Sequence, residues 1–114
     1  MSNLGNRLKN LFSGPENVQR LSASEFKQAL ATHPGAQLID VRTPAEYKAG
    51  NIPHSRLINF QRPDFVIEME RLDKTKPLFI YCQSGGRSGM ACRQLADKGF
   101  SQIYELRGGY GAWQ

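Results

Sequence analysis

A chain of 114 residues, 39 % hydrophobic and 22 % charged with a formal net charge of +5, has room for one domain with a real core, and its mixed composition excludes a disordered chain. Its 15 Lys and Arg residues are scattered with no long basic run, which reads as a solvated surface suited to small anions, so no nucleic-acid partner is expected. Cys82 and Cys92 are too few for a disulfide framework, and neither these cysteines nor the histidines have metal-ligand spacing.

Residues 1–17 look like an appendage. Leu4, Leu8, Leu11 and Phe12 fall on one face of a short amphipathic helix, with Arg7 and Lys9 elsewhere on it. Such a helix packs on its own domain or frays, or else docks on a partner or a membrane surface. It lacks the continuous apolar core and cleavage pattern of a signal peptide, and no stretch of the chain is long enough to span a bilayer. A cytoplasmic protein without stable membrane insertion is expected. Ser13-Gly14-Pro15 ends the helix, and one domain is expected over residues 18–114.

Residues 18–21 read as a short strand. Ser22 then caps a helix, with Glu25 three positions on completing a capping box and Phe26, Ala29 and Leu30 facing inward. His33-Pro34-Gly35 stops that helix and leaves His33 exposed in a turn. Residues 37–42 form the next strand, followed by Thr43 as N-cap, Pro44 at the first helical position and Glu46 at the third. Asp40 and Arg42 put charges near a strand terminus, where an α/β fold keeps its binding crevice. Asp40 either braces an active loop or only shapes the domain. Arg42 either lines or supports a pocket, or belongs to a structural ion pair. Glu46 and Tyr47 read as packing and capping residues. A loop over residues 50–55, with His54 at the surface, leads to a strand over residues 57–60. Arg62-Pro63-Asp64 opens a helix whose apolar face is Phe65, Val66, Met69 and Leu72.

Residues 77–81 are a short run rich in aromatic and branched side chains, and predict a buried strand. Cys82 ends it, and Gln83-Ser84-Gly85-Gly86-Arg87-Ser88 leads into a helix predicted from Ala91, with Gly99 placed as its left-handed C-terminal cap. Backbone N–H groups converge on such a loop and the helix dipole adds partial positive charge, so a thiol there ionises readily and the thiolate is a nucleophile. Gly85 and Gly86 let the backbone curl inward, Ser84 and Ser88 add hydroxyls, and Arg87 closes the ring with a fixed charge. Cys92 falls on the apolar side of the helix, where a buried thiol is commonplace; the alternative is a second sulfur that relays from Cys82. Residues 101–106 form a last strand. Arg107-Gly108-Gly109-Tyr110-Gly111-Ala112-Trp113 follows it. Strands alternate with helices throughout, so the fold is α/β with a mainly parallel sheet of about five strands and helices on both faces.

Three stretches resemble the rhodanese (sulfurtransferase) family, in the right order. They are the Cys82-x4-Arg87 loop, the run Leu-Ile-Asp-Val-Arg-Thr-Pro-Ala-Glu-Tyr over residues 38–47, and the ending Leu106-x-Gly108-Gly109-x-x-x-Trp113. Cysteine-dependent phosphatases of the Cdc25 type and arsenate reductases have a Cys-x5-Arg loop, one residue longer. Where the family usually has Gly-His-Ile-Pro-Gly-Ala the chain has Gly50-Asn51-Ile52-Pro53-His54-Ser55, so Asn51 replaces a histidine and His54 replaces a glycine. The resemblance implies that Cys82 takes sulfane sulfur from thiosulfate or a persulfide as a covalent persulfide and passes it to a thiol or cyanide. In that reading Gln83, Ser84, Gly85, Gly86, Arg87, Ser88 and Arg42 bind the small anionic donor and Asp40 supports them. A protein can serve as sulfur acceptor, and no metal or organic cofactor is called for. The alternatives are a sulfur-carrier or interaction module of the same fold, and a cysteine-dependent phosphatase or arsenate reductase.

Overall fold

The computed structural model describes residues 15–113, so the apolar face of Leu4, Leu8, Leu11 and Phe12 lies outside the described residues. The elements alternate along the chain: β1 (Val18–Leu21), α1 (Ala23–Thr32), β2 (Gln37–Asp40), α2 (Pro44–Ala49), β3 (Arg56–Leu57), α3 (Phe65–Glu70), β4 (Leu78–Tyr81), α4 (Gly86–Leu95), β5 (Ile103–Leu106) and α5 (Gly109–Trp113). The five strands form one sheet in the order β1-β5-β4-β2-β3, and every neighbouring pair is parallel. Parallel strands need crossovers, and the helices that supply them cover both faces.

Strand β4 shows how the sequence produces this. All four of its side chains are fully buried, as a central strand between two helical layers requires. Leu78 and Ile80 point into a core shared with Phe65 and Met69 of α3 and Ala91, Cys92 and Leu95 of α4. Phe79 and Tyr81 point the other way, into a core with Phe26 of α1 and with Tyr110 and Trp113 of α5. The period of two thus divides one apolar run between two cores. Phe26 meets Phe79 edge-on at 5.2 Å, which fixes α1 against the sheet. Both expected capping boxes form, Ser22 with Glu25 and Thr43 with Glu46.

The structure departs from the sequence reading where tertiary demands override local pattern. Helix α4 starts at Gly86, five residues before Ala91. Its first turn, Gly-Arg-Ser-Gly, has poor helix propensity, and anchoring of the loop around Cys82 outweighs that preference. The helix ends at Leu95, and Gly99 (φ +96°) closes the turn that follows rather than the helix itself. Strand β3 is only two residues long, although Ile58 and Phe60 still donate their N–H groups to the Asp40 and Val41 carbonyls. Helix α3 begins after Arg62 and Asp64, which pair with each other at 2.9 Å. His33 is half-buried rather than exposed, because the turn folds its ring against Phe79 and Tyr104, with Nδ1 2.8 Å from the Ala29 carbonyl. Trp113 is only partly buried, at the margin of the second core. No helix among the described residues is long and apolar enough to cross a membrane.

Candidate active site

The C-terminal end of the central strand β4 carries Cys82, 1 % exposed, and the chain turns at once toward α4. Gly85 makes that turn with φ +112°, a left-handed value that costs a residue with a Cβ about 1–2 kcal/mol. The turn brings the Gly85 N–H to 3.0 Å from Cys82 Sγ and places Ser88 Oγ 3.3 Å from it. Burial pushes the thiol up. Hydrogen bonding with Ser88 and with the backbone N–H groups of Gly85 and Ser84 outweighs that, so Cys82 ionises below the ordinary thiol range. The result is a nucleophilic sulfur in a ring of donors at a helix N-terminus.

The second motif packs behind this ring. Asp40 is fully buried, and the Arg42 guanidinium holds it through Nε at 3.0 Å and Nη2 at 2.7 Å. The same guanidinium donates to Gln83 Oε1 at 3.0 Å and to the Gly50 carbonyl at 2.6 Å, while the Tyr110 ring lies 4.5 Å away. Burial works against the Arg42 charge, but hydrogen bonds and attraction from Asp40 prevail and hold it above the ordinary range. Arg42 is 2 % exposed, and its Nε, Nη1 and Nη2 reach Asp40, Gln83 and the Gly50 carbonyl, so the guanidinium braces the loop through Gln83.

Arg87 does not stand free at the ring either. Its guanidinium forms a two-pronged pair with Glu46 on α2, at 2.7 and 2.9 Å. The Arg87 hydrogen bond holds the Glu46 carboxyl at about 2 instead of 4.5. Ser84 and Gly86 are exposed at the loop's outer surface. The loop is closed from the far side by α5, where the Tyr110 N–H donates to the Cys82 carbonyl at 2.8 Å and the Gly111 N–H to the Gln83 carbonyl at 3.2 Å. Gly109 makes this approach possible, since a Cβ there would lie 2.5 Å from the Cys82 carbonyl oxygen.

Sequence reasoning missed three residues. Glu46 reads from the sequence as a packing and capping residue, yet it also fixes Arg87 across the site. Glu105 and Arg20 carried no motif, yet Glu105 is 3 % exposed, accepts from Ser88 Oγ at 2.7 Å and pairs with Arg20 at 3.1 Å. The available signal was a carboxylate on the same strand face as Ile103, where an apolar residue belongs. Cys92 is buried, and burial, reinforced by the nearby Glu105 charge, raises its thiol far above the ordinary range. That suits packing and not relay chemistry.

Residues 22–114 match the rhodanese-like domain family. The chain is 37 % identical over 98 residues to a sulfurtransferase from Allochromatium vinosum, covering 84 % of this chain and 88 % of that one. It is 38 % identical over 91 residues to the thiosulfate sulfurtransferase GlpE of Pseudomonas syringae, covering 79 % and 82 %. The fold superposes on the crystal structure of a rhodanese-like domain protein from Staphylococcus aureus with a TM-score of 0.74 at 27 % identity, covering 84 % and 91 %.

Proposed function

The chain belongs to the rhodanese-like domain family, and from that membership we propose that it is a sulfurtransferase working through a persulfide on Cys82, with thiosulfate or a small persulfide as donor. The observation that carries this reading is the environment of one atom. Cys82 Sγ sits at the mouth of α4 with the Gly85 N–H 3.0 Å away, where a sulfur anion is stabilised before and after it accepts a second sulfur.

In the first half-reaction the Cys82 thiolate attacks the outer sulfur of the donor. A sulfur–sulfur bond forms at Cys82, the bond inside the donor breaks, and sulfite or a thiolate leaves with the electron pair. The new persulfide carries its negative charge on the outer sulfur, within reach of the inward-turned N–H groups of the loop. In the second half-reaction an acceptor thiolate, or cyanide in an assay, attacks that outer sulfur, and Cys82 departs as thiolate. Two half-reactions through a covalent intermediate give ping-pong kinetics. The loop's contribution is to receive one anionic sulfur in a preformed, nearly dry ring, so little reorganisation accompanies either step.

The test is the intact mass of the protein after incubation with thiosulfate. A gain of about 32 Da, one sulfur atom, that cyanide reverses and Cys82→Ser abolishes is the expected result. An adduct with a low-molecular-weight persulfide but not with thiosulfate reassigns the donor. No adduct with either refutes the reading.

A further inference from the structure

Ser88 stands between two acceptors with one hydroxyl hydrogen to give. Its Oγ lies 2.7 Å from Glu105 Oε2 and 3.3 Å from Cys82 Sγ, with a third contact of 3.4 Å to the Gly85 carbonyl. Glu105 sits on the face of β5 that looks at α4. Arg20 reaches it from β1, with Nε 3.1 Å from Oε1 and Nη2 3.4 Å from Oε2. An ionised carboxylate at the shorter distance outcompetes sulfur for the hydroxyl hydrogen. Ser88 therefore turns a lone pair toward Cys82, and in the resting site the thiol donates to Oγ while Oγ donates to Glu105.

This arrangement opposes the rest of the loop. The backbone N–H groups favour the sulfur anion; a hydroxyl that accepts from the thiol favours the protonated form. We propose that Glu105 is a positioning residue for sulfur transfer: by holding the Ser88 hydrogen it stops the loop from over-stabilising the Cys82 anion, and so keeps the sulfur a strong nucleophile. The proposal rests on the sulfurtransferase reading above. Its chemical point is that a thiolate loses intrinsic reactivity as it loses basicity, with a Brønsted slope of about 0.4–0.5.

The charged and titratable groups around this pair are Arg20 on β1, Arg87 and Cys92 on α4, Asp40 and Arg42 at the end of β2, and Glu46 on α2. Arg87 and Arg42 are each neutralised by a carboxylate of their own. Cys92 is held protonated. Arg20 and Glu105 are thus the pair whose charge bears on Cys82 through Ser88. Gly89 lies beside the pair, and a Cβ there would touch Arg20 Nη2 at 3.4 Å and Glu105 Oε2 at 3.6 Å, both ordinary contacts.

The test is the pH dependence of Cys82 alkylation by iodoacetamide in the full chain, read by peptide mass at that cysteine. In Glu105→Gln the profile moves to lower pH by about one unit, and its alkaline plateau falls about threefold, as the Brønsted slope requires. In a Ser88→Ala background the same substitution has little effect, because the hydroxyl that transmits it is gone. Arg20 is half-exposed, so Arg20→Gln leaves the fold intact, and it moves the profile to higher pH by strengthening the hold of Glu105 on the hydrogen. An unmoved or alkaline-shifted Glu105→Gln profile overturns the proposal, and so does an Arg20→Gln profile that stays put. A Glu105→Gln shift that is undiminished without the Ser88 hydroxyl overturns it as well, since Glu105 then acts by bare charge. Alkylation does not require sulfur loading, so the predicted shifts in a protein that never gains sulfur would refute the sulfurtransferase reading and leave this geometry standing.

Discussion

Replacing Gly109 by alanine tests the closure of the active loop most directly. The residue has φ +65°, a left-handed value that costs an L-residue about 1–2 kcal/mol. An added Cβ would lie 2.5 Å from both the Cys82 carbonyl oxygen and the Gln83 carbonyl carbon. Both are backbone atoms, so no side chain can swing aside, and either α5 or the loop must retreat. Retreat breaks the hydrogen bonds from Tyr110 N–H to the Cys82 carbonyl and from Gly111 N–H to the Gln83 carbonyl, each worth about 1 kcal/mol. The sum is a loss of about 3–4 kcal/mol, a large share of the roughly 5–15 kcal/mol that holds a small domain together. Urea unfolding supplies the free energy, and iodoacetamide alkylation of Cys82 under native conditions reports the loop. Gly111→Ala is the internal control, because its Cβ would meet the Gln83 carbonyl oxygen at an ordinary 3.6 Å, and it should change stability by no more than about 1 kcal/mol. A Gly109→Ala protein that loses less than about 1 kcal/mol and alkylates at the normal rate would refute the reasoning.

Arg42→Ala leaves Asp40, fully buried, without its counter-charge and should cost about 3–5 kcal/mol in urea unfolding. Arg42→Lys keeps a charge but cannot reach Asp40, Gln83 and Gly50 together, so a cost below that of alanine yet well above zero is expected. Glu46 is ionised down to about 2 instead of 4.5 because of Arg87; its stabilisation is complete above pH 4.5 and disappears as pH falls toward 2. With 32 % of its side chain exposed, screening leaves about 1 kcal/mol. Glu46→Gln should therefore cost that much at pH 7 and little at pH 2, and an equal cost at both would count against the pairing. Cys92→Ala should leave sulfur loading of Cys82 unchanged in the mass assay; a drop would restore a relay role for the second thiol.

The parts legible in the sequence were those written in neighbouring residues. Leu78 to Tyr81 announce a buried strand, the glycines after Cys82 announce a turn with inward amides, and Ser22 with Glu25 announces a capped helix. What stayed hidden depends on residues far apart in the chain. Arg87 meets Glu46 across 41 positions and Arg20 meets Glu105 across 85, and no local pattern encodes either meeting. Arg42 shows an intermediate case. Its place at a strand end was visible, but whether its guanidinium faced a substrate or the back of the loop depended on where Gln83 and Gly50 came to lie. The early start of α4 was missed for a related reason: propensity argued against a helix through Gly86 and Gly89, and the environment of one sulfur atom outweighed it.

The strand order has a consequence for how the molecule comes into being on the ribosome. β1 has one neighbour in the sheet, β5, and their register joins Val18 to Ile103. The first strand made must therefore wait for the last one before it has a partner. Until β5 and α5 emerge, β4 shows a bare edge and Cys82 lacks both Glu105 and the backbone clamp at Gly109. A nascent chain halted after α4 would carry the whole Cys82–Arg87 motif and no working site. Such long-range pairing folds slowly, and the waiting edge is open to association with other chains. Expression should therefore respond sharply to substitutions in residues 103–109, even at positions that never touch the sulfur.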